Sequence, residues 1–249
     1  MGLKSGLLLF VLASLTLVIS IAWFIPASVV WKQLASELTY PNELAISTPR
    51  GSLRKGTTAV RFRSFPTSTL SWQAQWPTLH QGDITFRYLA SLQGANHELN
   101  AQLAVSLSTP RIEISELNGY VDSKDINQLA VAYGHQLEGK LTLSQGAMEI
   151  TERCLTFMTG DLQWDGGRIV FSTPNRVERY DLPDLSGLLK SQACGIEINV
   201  RRNQNDLARL ALKPDGWFLA ELQPALLSMA KITGADHLKA PLLFEEKIL

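Results

Sequence analysis

From Leu70 to Leu222, apolar and polar residues alternate in short runs separated by turn-forming residues. Leu70, Trp72, Ala74 and Trp76 take every second position of one run, and Ile84, Phe86 and Tyr88 of the next. Leu99, Ala101, Leu103, Val105 and Leu107 follow, then Ile112 and Ile114. A period of two places such side chains on one face of a strand, so each run predicts a half-buried strand with one wet face. Ile196–Val200, Leu207–Leu212 and Trp217–Leu222 predict the last strands. Lys213-Pro214-Asp215-Gly216 supplies a tight turn between the final two, and Asn118-Gly119 is another turn signal.

A glycine-opened module recurs. In "GDLQWDGGRIVF" (Gly160 to Phe171), Leu162 and Trp164 alternate with polar neighbours, Asp165-Gly166-Gly167 interrupts, and Ile169 and Phe171 resume. The pattern predicts two short strands joined as a hairpin, because Asp-Gly and Gly-Gly supply the positive φ that the turn requires. "GKLTLSQGAMEI" (Gly139 to Ile150) and "GSLRKG" (Gly51 to Gly56) have the same outline.

In four places the period is that of a helix or a turn. Val30, Leu34 and Leu38 predict a short amphipathic helix over 27–38. "DSKDINQLAVAYG" predicts a second, capped by Asp122 or Ser123 and ended by Gly134. "DLPDLSGLLK" (Asp181 to Lys190) reads as a short helix or turn, and "QPALLSMAKI" as a helix. The expected fold is therefore mainly β: an antiparallel, long curved or sandwich-like domain with a few short helices. No interior linker divides it.

Ahead of this body, Gly6 to Ile25 runs twenty residues without a charge. That length spans a bilayer's hydrocarbon core as a helix. Lys4 precedes it, Trp23 lies at its far end and Pro26 closes it. The expected organisation is a short cytoplasmic tail (1–5), a transmembrane signal-anchor helix (6–25) and a periplasmic β-rich domain (26–249) in a bacterial inner membrane. A cleaved signal peptide is the alternative, since Ser20-Ile21-Ala22 is a small-x-small site.

The formal net charge is zero, which lacks the basic excess of a nucleic-acid binder. Cys154 and Cys194 are the only cysteines. In an oxidising compartment they are a candidate disulfide, closing a loop worth about 4 kcal/mol in the chain-entropy model; two unpaired buried thiols are the alternative.

Searches for catalytic patterns return little. Nucleotide-binding glycine motifs and a G-x-S-x-G elbow are missing. The histidines His80, His97, His135 and His237 lie far apart in sequence, so a metal site would have to assemble in three dimensions. Asp122 with Asp125, Asp161 with Asp165, and Asp181 with Asp184 read as caps and turns rather than as a glycosidase pair. Arg50, Arg54, Lys55, Arg61 and Arg63 form a basic stretch, and Arg201-Arg202 a shorter one; both read as solvated strand faces, with headgroups or an acidic partner as the alternative. Trp72, Trp76, Trp164 and Trp217 fall in phase with the apolar faces and are expected in the core.

The N-terminal apolar segment, the Gly-x-Leu-x-x-Gly element at Gly51–Gly56, the Leu-x-Trp-x-x-x-Trp strand at Leu70–Trp76, and "GKLTLSQG" and "GDLQW" in that order resemble the type II secretion system protein N family. The likeness covers nearly the whole chain; Arg54 stands where that family commonly has Trp. It implies a non-enzymatic inner-membrane accessory subunit of the machine that exports folded proteins from the periplasm across the outer membrane. Its implied partners are other secretion subunits and, through the N-terminal helix, membrane lipid, with no nucleic acid and no small-molecule substrate. No catalytic, cofactor-binding or metal-ligating residue and no cofactor follow from the likeness. The alternative is a membrane-anchored lipid-binding or lipid-transfer module, decided by whether the faces carrying Trp72, Trp76, Leu103, Val105, Trp164 and Phe171 are covered or form an open groove.

Overall fold

A computed structural model describes residues 13–14, 16–17, 24–35, 43–80, 83–106, 111–130, 134–151, 154–173, 176–232, 237 and 240–247. The tail 1–5 and most of the 6–25 segment lie outside these residues. Among the described residues, no helix is long and apolar enough to cross a membrane.

The first element bounded within the described residues is helix α1 (Ala27–Leu34), followed by strands β1 (Leu44–Ile46), β2 (Arg50–Gly51), β3 (Lys55–Phe62), β4 (Ser68–Ala74), β5 (Thr78–His80), β6 (Asp83–Gln93), β7 (His97–Ser106) and β8 (Arg111–Asp122). Helix α2 (Ser123–Ala130) precedes β9 (Gln136–Leu137), β10 (Lys140–Thr151), β11 (Cys154–Trp164), β12 (Gly167–Thr173), β13 (Arg176–Leu182), β14 (Leu185–Gln192), β15 (Gly195–Arg202), β16 (Asn205–Leu212) and β17 (Trp217–Leu222). Helix α3 (Pro224–Met229) and strand β18 (Leu242–Lys247) follow. Fifteen strands form one antiparallel sheet in the order β1-β3-β4-β6-β7-β8-β10-β11-β14-β15-β16-β17-β18, with β2 beside β3 and β5 beside β6. A separate three-stranded sheet runs β13-β12-β9.

The alternation seen in the sequence becomes two chemically distinct faces, because directly paired residues share a face. One row of partners runs Leu70, Leu92, Leu99, Gly119 and Leu143. It continues through Leu162, Gly187, Val200, Ala208, Leu222 and Leu242. No charge interrupts these eleven strands, whose ten steps span about 48 Å at the usual strand spacing. The opposite face is polar, as in the row Ser71, Ser91, Asn100 and Asn118. The molecule is one long two-faced sheet rather than a sandwich.

The repeated glycine module has a packing cause. A Cβ at Gly56 would sit 2.3 Å from the Trp72 ring, and the Trp72 indole N–H donates to the Ser52 carbonyl at 3.2 Å. The arrangement recurs at Gly139, where a Cβ would lie 2.7 Å from the Trp164 indole nitrogen, and that N–H donates to the Glu138 carbonyl at 2.9 Å. Each time an indole lies over a glycine and ties down the turn before a long strand. Gly51–Gly56 is a true hairpin.

Other local signals gave way to tertiary pairing. The strands on either side of Asp165-Gly166-Gly167 exist but do not form a hairpin. β11 pairs with β10 and β14, whereas β12 leaves for the small sheet. Gly166 and Gly167, at φ 84° and 136°, redirect the chain, and the Asp165 carboxylate accepts the Lys140 N–H at 2.6 Å. Gly139–Ile150 is one bulged strand, not a hairpin. Asn118-Gly119 is not a turn: Glu116 and Gln145, at φ 51° and 52°, form bulges on neighbouring strands. The Asn118 side chain bridges them, donating to the Glu116 carbonyl at 2.8 Å and accepting the Gln145 N–H at 2.9 Å. The expected helix or turn over 181–190 is mostly strand β14, because Leu185, Gly187 and Leu189 fill the row beside β11.

Small helices cover only parts of this body. α1 packs on β2, and the carbonyl just before it, Ile25, accepts the Leu53 N–H at 3.1 Å. α3 packs on β16, and Leu207, Ala208, Ala220, Leu227 and Ala230 are buried at that end. Asp122 caps α2 as expected, its carboxylate accepting the Lys124 N–H at 2.9 Å.

Candidate functional site

The most buried polar side chains lie where β4, β7 and α2 meet. Ser68 is in phase with Leu70 and Trp72, and His97 with Leu99 and Ala101, so both point onto the apolar face of the sheet. Asp125 comes down onto them from the first turn of α2. Ser68, His97 and Asp125 are 3 %, 1 % and 0 % exposed.

The three form a chain. His97 Nδ1 lies 2.6 Å from Asp125 Oδ2, and His97 Nε2 lies 2.7 Å from Ser68 Oγ. Asn96 Nδ2 donates to the second Asp125 oxygen at 2.9 Å. Burial pushes the Asp125 carboxyl up, yet the hydrogen bonds from His97 and Asn96 and the attraction of His97 outweigh it and hold the group below the ordinary aspartate value. An ionised carboxylate only accepts, so Nδ1 carries a hydrogen. In the neutral ring, Nε2 accepts the Ser68 hydroxyl; in the charged ring it donates, and Ser68 turns its hydrogen to the Pro66 carbonyl, 3.3 Å away. Both protonation states keep every partner. Phe65 closes over the ring at 4.9 Å, and a Cβ at Gly94 would lie 2.0 Å from His97 Cε1.

Ser–His–Asp at these distances is the arrangement of a nucleophile, a base and an orienting acid. Two open depressions, of about 450 and 550 Å³, are lined by other residues. Ser68 and His97 are buried on the apolar face, and through Asp125 they lock α2 onto β4 and β7. α2 carries that lock outward: Asn127 donates to the Leu137 carbonyl at 2.8 Å and accepts the Leu137 N–H at 2.7 Å, fastening β9 and its small sheet. Ser64 ties the preceding loop to the Gln128 carbonyl at 2.6 Å.

Among the described residues, no group of three or more His, Cys, Asp or Glu side chains could hold a metal. Of the paired aspartates, Asp122 caps α2, Asp125 joins the lock and Asp165 holds the Lys140 turn. Asp181 pairs with Arg168 and Asp184 with Arg202. Arg201 pairs with Asp206 and Arg63 with Glu43. Cys154 and Cys194 lie with sulfurs 2.05 Å and Cα atoms 4.8 Å apart, joining the start of β11 to the turn before β15.

The apolar face is unevenly covered. Trp164 is buried, while Trp72, Leu103 and Val105 are half-buried. Ile112, on the same face, is 39 % exposed. Trp76 lies beyond the end of β4 and is 78 % exposed. Trp217, at the first position of β17, is also exposed. These two were expected in the core; Trp76 lies past the last residue of β4, and Trp217 sits at the end of β17, opposite Lys247 of β18. The side chain of Phe171 lies outside the described residues.

A family model for the type II secretion system (T2SS), protein N, matches residues 42–235. The chain belongs to the type II secretion system protein N family. The match takes in both glycine–tryptophan modules, the Ser68–His97–Asp125 lock and both cysteines, and it ends before β18. Membership makes the chain a component of a type II secretion system. The comparisons with curated proteins and with solved structures gave no match.

Proposed function

We propose that the chain is a non-enzymatic accessory subunit of a type II secretion system, anchored in the inner membrane by residues 6–25. Residues 1–5 lie in the cytoplasm and 26–249 in the periplasm. There the β body acts as a scaffold, contacting other secretion subunits to support export of folded proteins across the outer membrane. The observation that carries this reading is the family match over 42–235. It is supported by the charge-free run from Gly6 to Ile25 and by the tie between Ile25 and Leu53, which sets the sheet directly after that run. A Cys154–Cys194 bond staples the body in this oxidising compartment.

The test is secretion of a folded periplasmic cargo in cells lacking the chain. Restoration by the full chain but not by residues 1–30 alone is expected. Full secretion without the chain refutes the scaffold role.

One observation favours a second reading. A charge-free row eleven strands long, on a face that is half-buried at Trp72, Leu103 and Val105, is a surface along which acyl chains can lie. That reading makes the body a lipid-holding module. Stoichiometric lipid in the purified full chain supports it, and lipid-free protein refutes it.

A further inference from the structure

We propose that the outer edge of β18 accepts an extended segment of another secretion subunit, of the pattern basic-x-apolar-x-apolar, as one more antiparallel strand. This rests on the scaffold reading and names the surface through which it works.

Among the described residues, β18 ends the main sheet, with β17 as its one strand neighbour. Other sheet ends are protected in the usual ways. β1 is three residues long and β9 two. β13 alternates charges through Arg176, Glu178, Arg179 and Asp181. β18 is six residues long, and all but Leu242 are exposed. Leu243 and Phe244 are 63 % and 54 % exposed, large apolar side chains on opposite faces of one strand.

The register specifies the occupant. Leu242 continues the apolar row from Leu222, and Phe244 the row from Ala220. An added strand with apolar residues opposite these two extends both rows by one step and covers the ends that β18 leaves open. Glu246, opposite Phe218, is the third residue on that face, and a Lys or Arg across from it meets an exposed carboxylate. Glu245, on the other face, is engaged by Lys213 at 2.9 Å. Antiparallel addition then reads basic-x-apolar-x-apolar from the N-terminus of the incoming segment.

A second copy of this chain fits less well over the whole strand. Antiparallel self-pairing with faces kept in register, centred on Phe244, sets Leu242 against Glu246 and Leu243 against Glu245. Centred on Glu245, it sets two Glu245 carboxylates against each other, and centred on Leu243 it pairs only Leu242–Phe244, three of the six strand residues. The acidic residues therefore discourage self-association while favouring a basic partner.

The test places a photo-crosslinking amino acid at Leu243 of the full chain in native membranes and identifies crosslinked peptides by mass spectrometry. Crosslinking is repeated with Glu246→Lys, an exposed substitution whose fold is verified by circular dichroism. Expected is a crosslink to a segment of another secretion subunit carrying the stated pattern, weakened about tenfold by Glu246→Lys. A crosslink mainly to a second copy overturns the proposal, as does one that Glu246→Lys leaves unchanged. Co-purification of secretion subunits without any crosslink at Leu243 overturns the β18 edge and leaves the scaffold reading standing. Absence of secretion subunits from the purified chain overturns both.

Discussion

Replacing His97 with alanine should be the most damaging single change in the sheet. It removes both ring contacts, 2.6 Å to Asp125 and 2.7 Å to Ser68, and opens space beneath Phe65. Asp125 stays wholly buried, with Asn96 as its remaining side-chain partner in the lock. Leaving a buried ionised carboxylate without its closest donor costs more than the roughly 1–3 kcal/mol of an unsatisfied neutral group. Ser68→Ala deletes a neutral hydroxyl and leaves Nε2 unpaired, for about 1–3 kcal/mol. Since the His97→Ala cost arises mainly from the orphaned carboxylate, adding Asp125→Ala should recover part of it. The double mutant should therefore lose at least about 1 kcal/mol less than the sum of the singles. Urea unfolding of the detergent-solubilised full chain, followed by tryptophan fluorescence and far-UV circular dichroism, measures each term. A loss under about 1 kcal/mol for His97→Ala, or additive single effects, refutes the lock.

The pH dependence has a definite sign. The Asp125 carboxyl is held below its ordinary value, so its contribution is complete above the unfolded value of about 3.9 and is lost as pH falls through the lower folded value. Asp125→Asn should flatten stability against pH below about 4, and an unchanged acid limb contradicts this. Replacing Cys154 and Cys194 together with serine should cost up to about 4 kcal/mol in the chain-entropy model, read as a lower unfolding midpoint that reductant no longer shifts. At Gly119 a Cβ would meet the Glu98 carbonyl at 2.0 Å, a contact with backbone. Gly119→Ala should therefore cost about 1–3 kcal/mol. Gly187→Ala, whose nearest contact is a methyl of Ile198 at 3.1 Å, should cost clearly less; equal losses would show that crowding at Gly119 is not the cause.

Strand positions were legible because a period of two survives wherever one face is buried and the other wet. Pairing was not. Asp165-Gly166-Gly167 announces a reversal of direction, but which strand fills the slot beside β11 depends on Leu185, Gly187 and Leu189, some twenty residues on. Asn118-Gly119 carries turn residues and instead sits in a bulge held by the Asn118 side chain. The lock was not legible, because Ser68, His97 and Asp125 are separated by 29 and 28 residues. A signal existed nonetheless. Ser68 and His97 are polar residues in phase with the apolar positions of their strands, and a polar group on a buried face needs a partner. β18 followed a stretch whose pattern announced no strand, and its two exposed apolar residues became meaningful only once its place at the sheet end was known.

The central claim is that the β body joins this chain to the secretion machinery. A pull-down of the full chain from detergent-solubilised membranes, with proteins and lipids identified in the same eluate, tests it most directly. The account predicts other secretion subunits in that eluate and their loss when residues 27–249 are removed. Stoichiometric lipid without those subunits would contradict it.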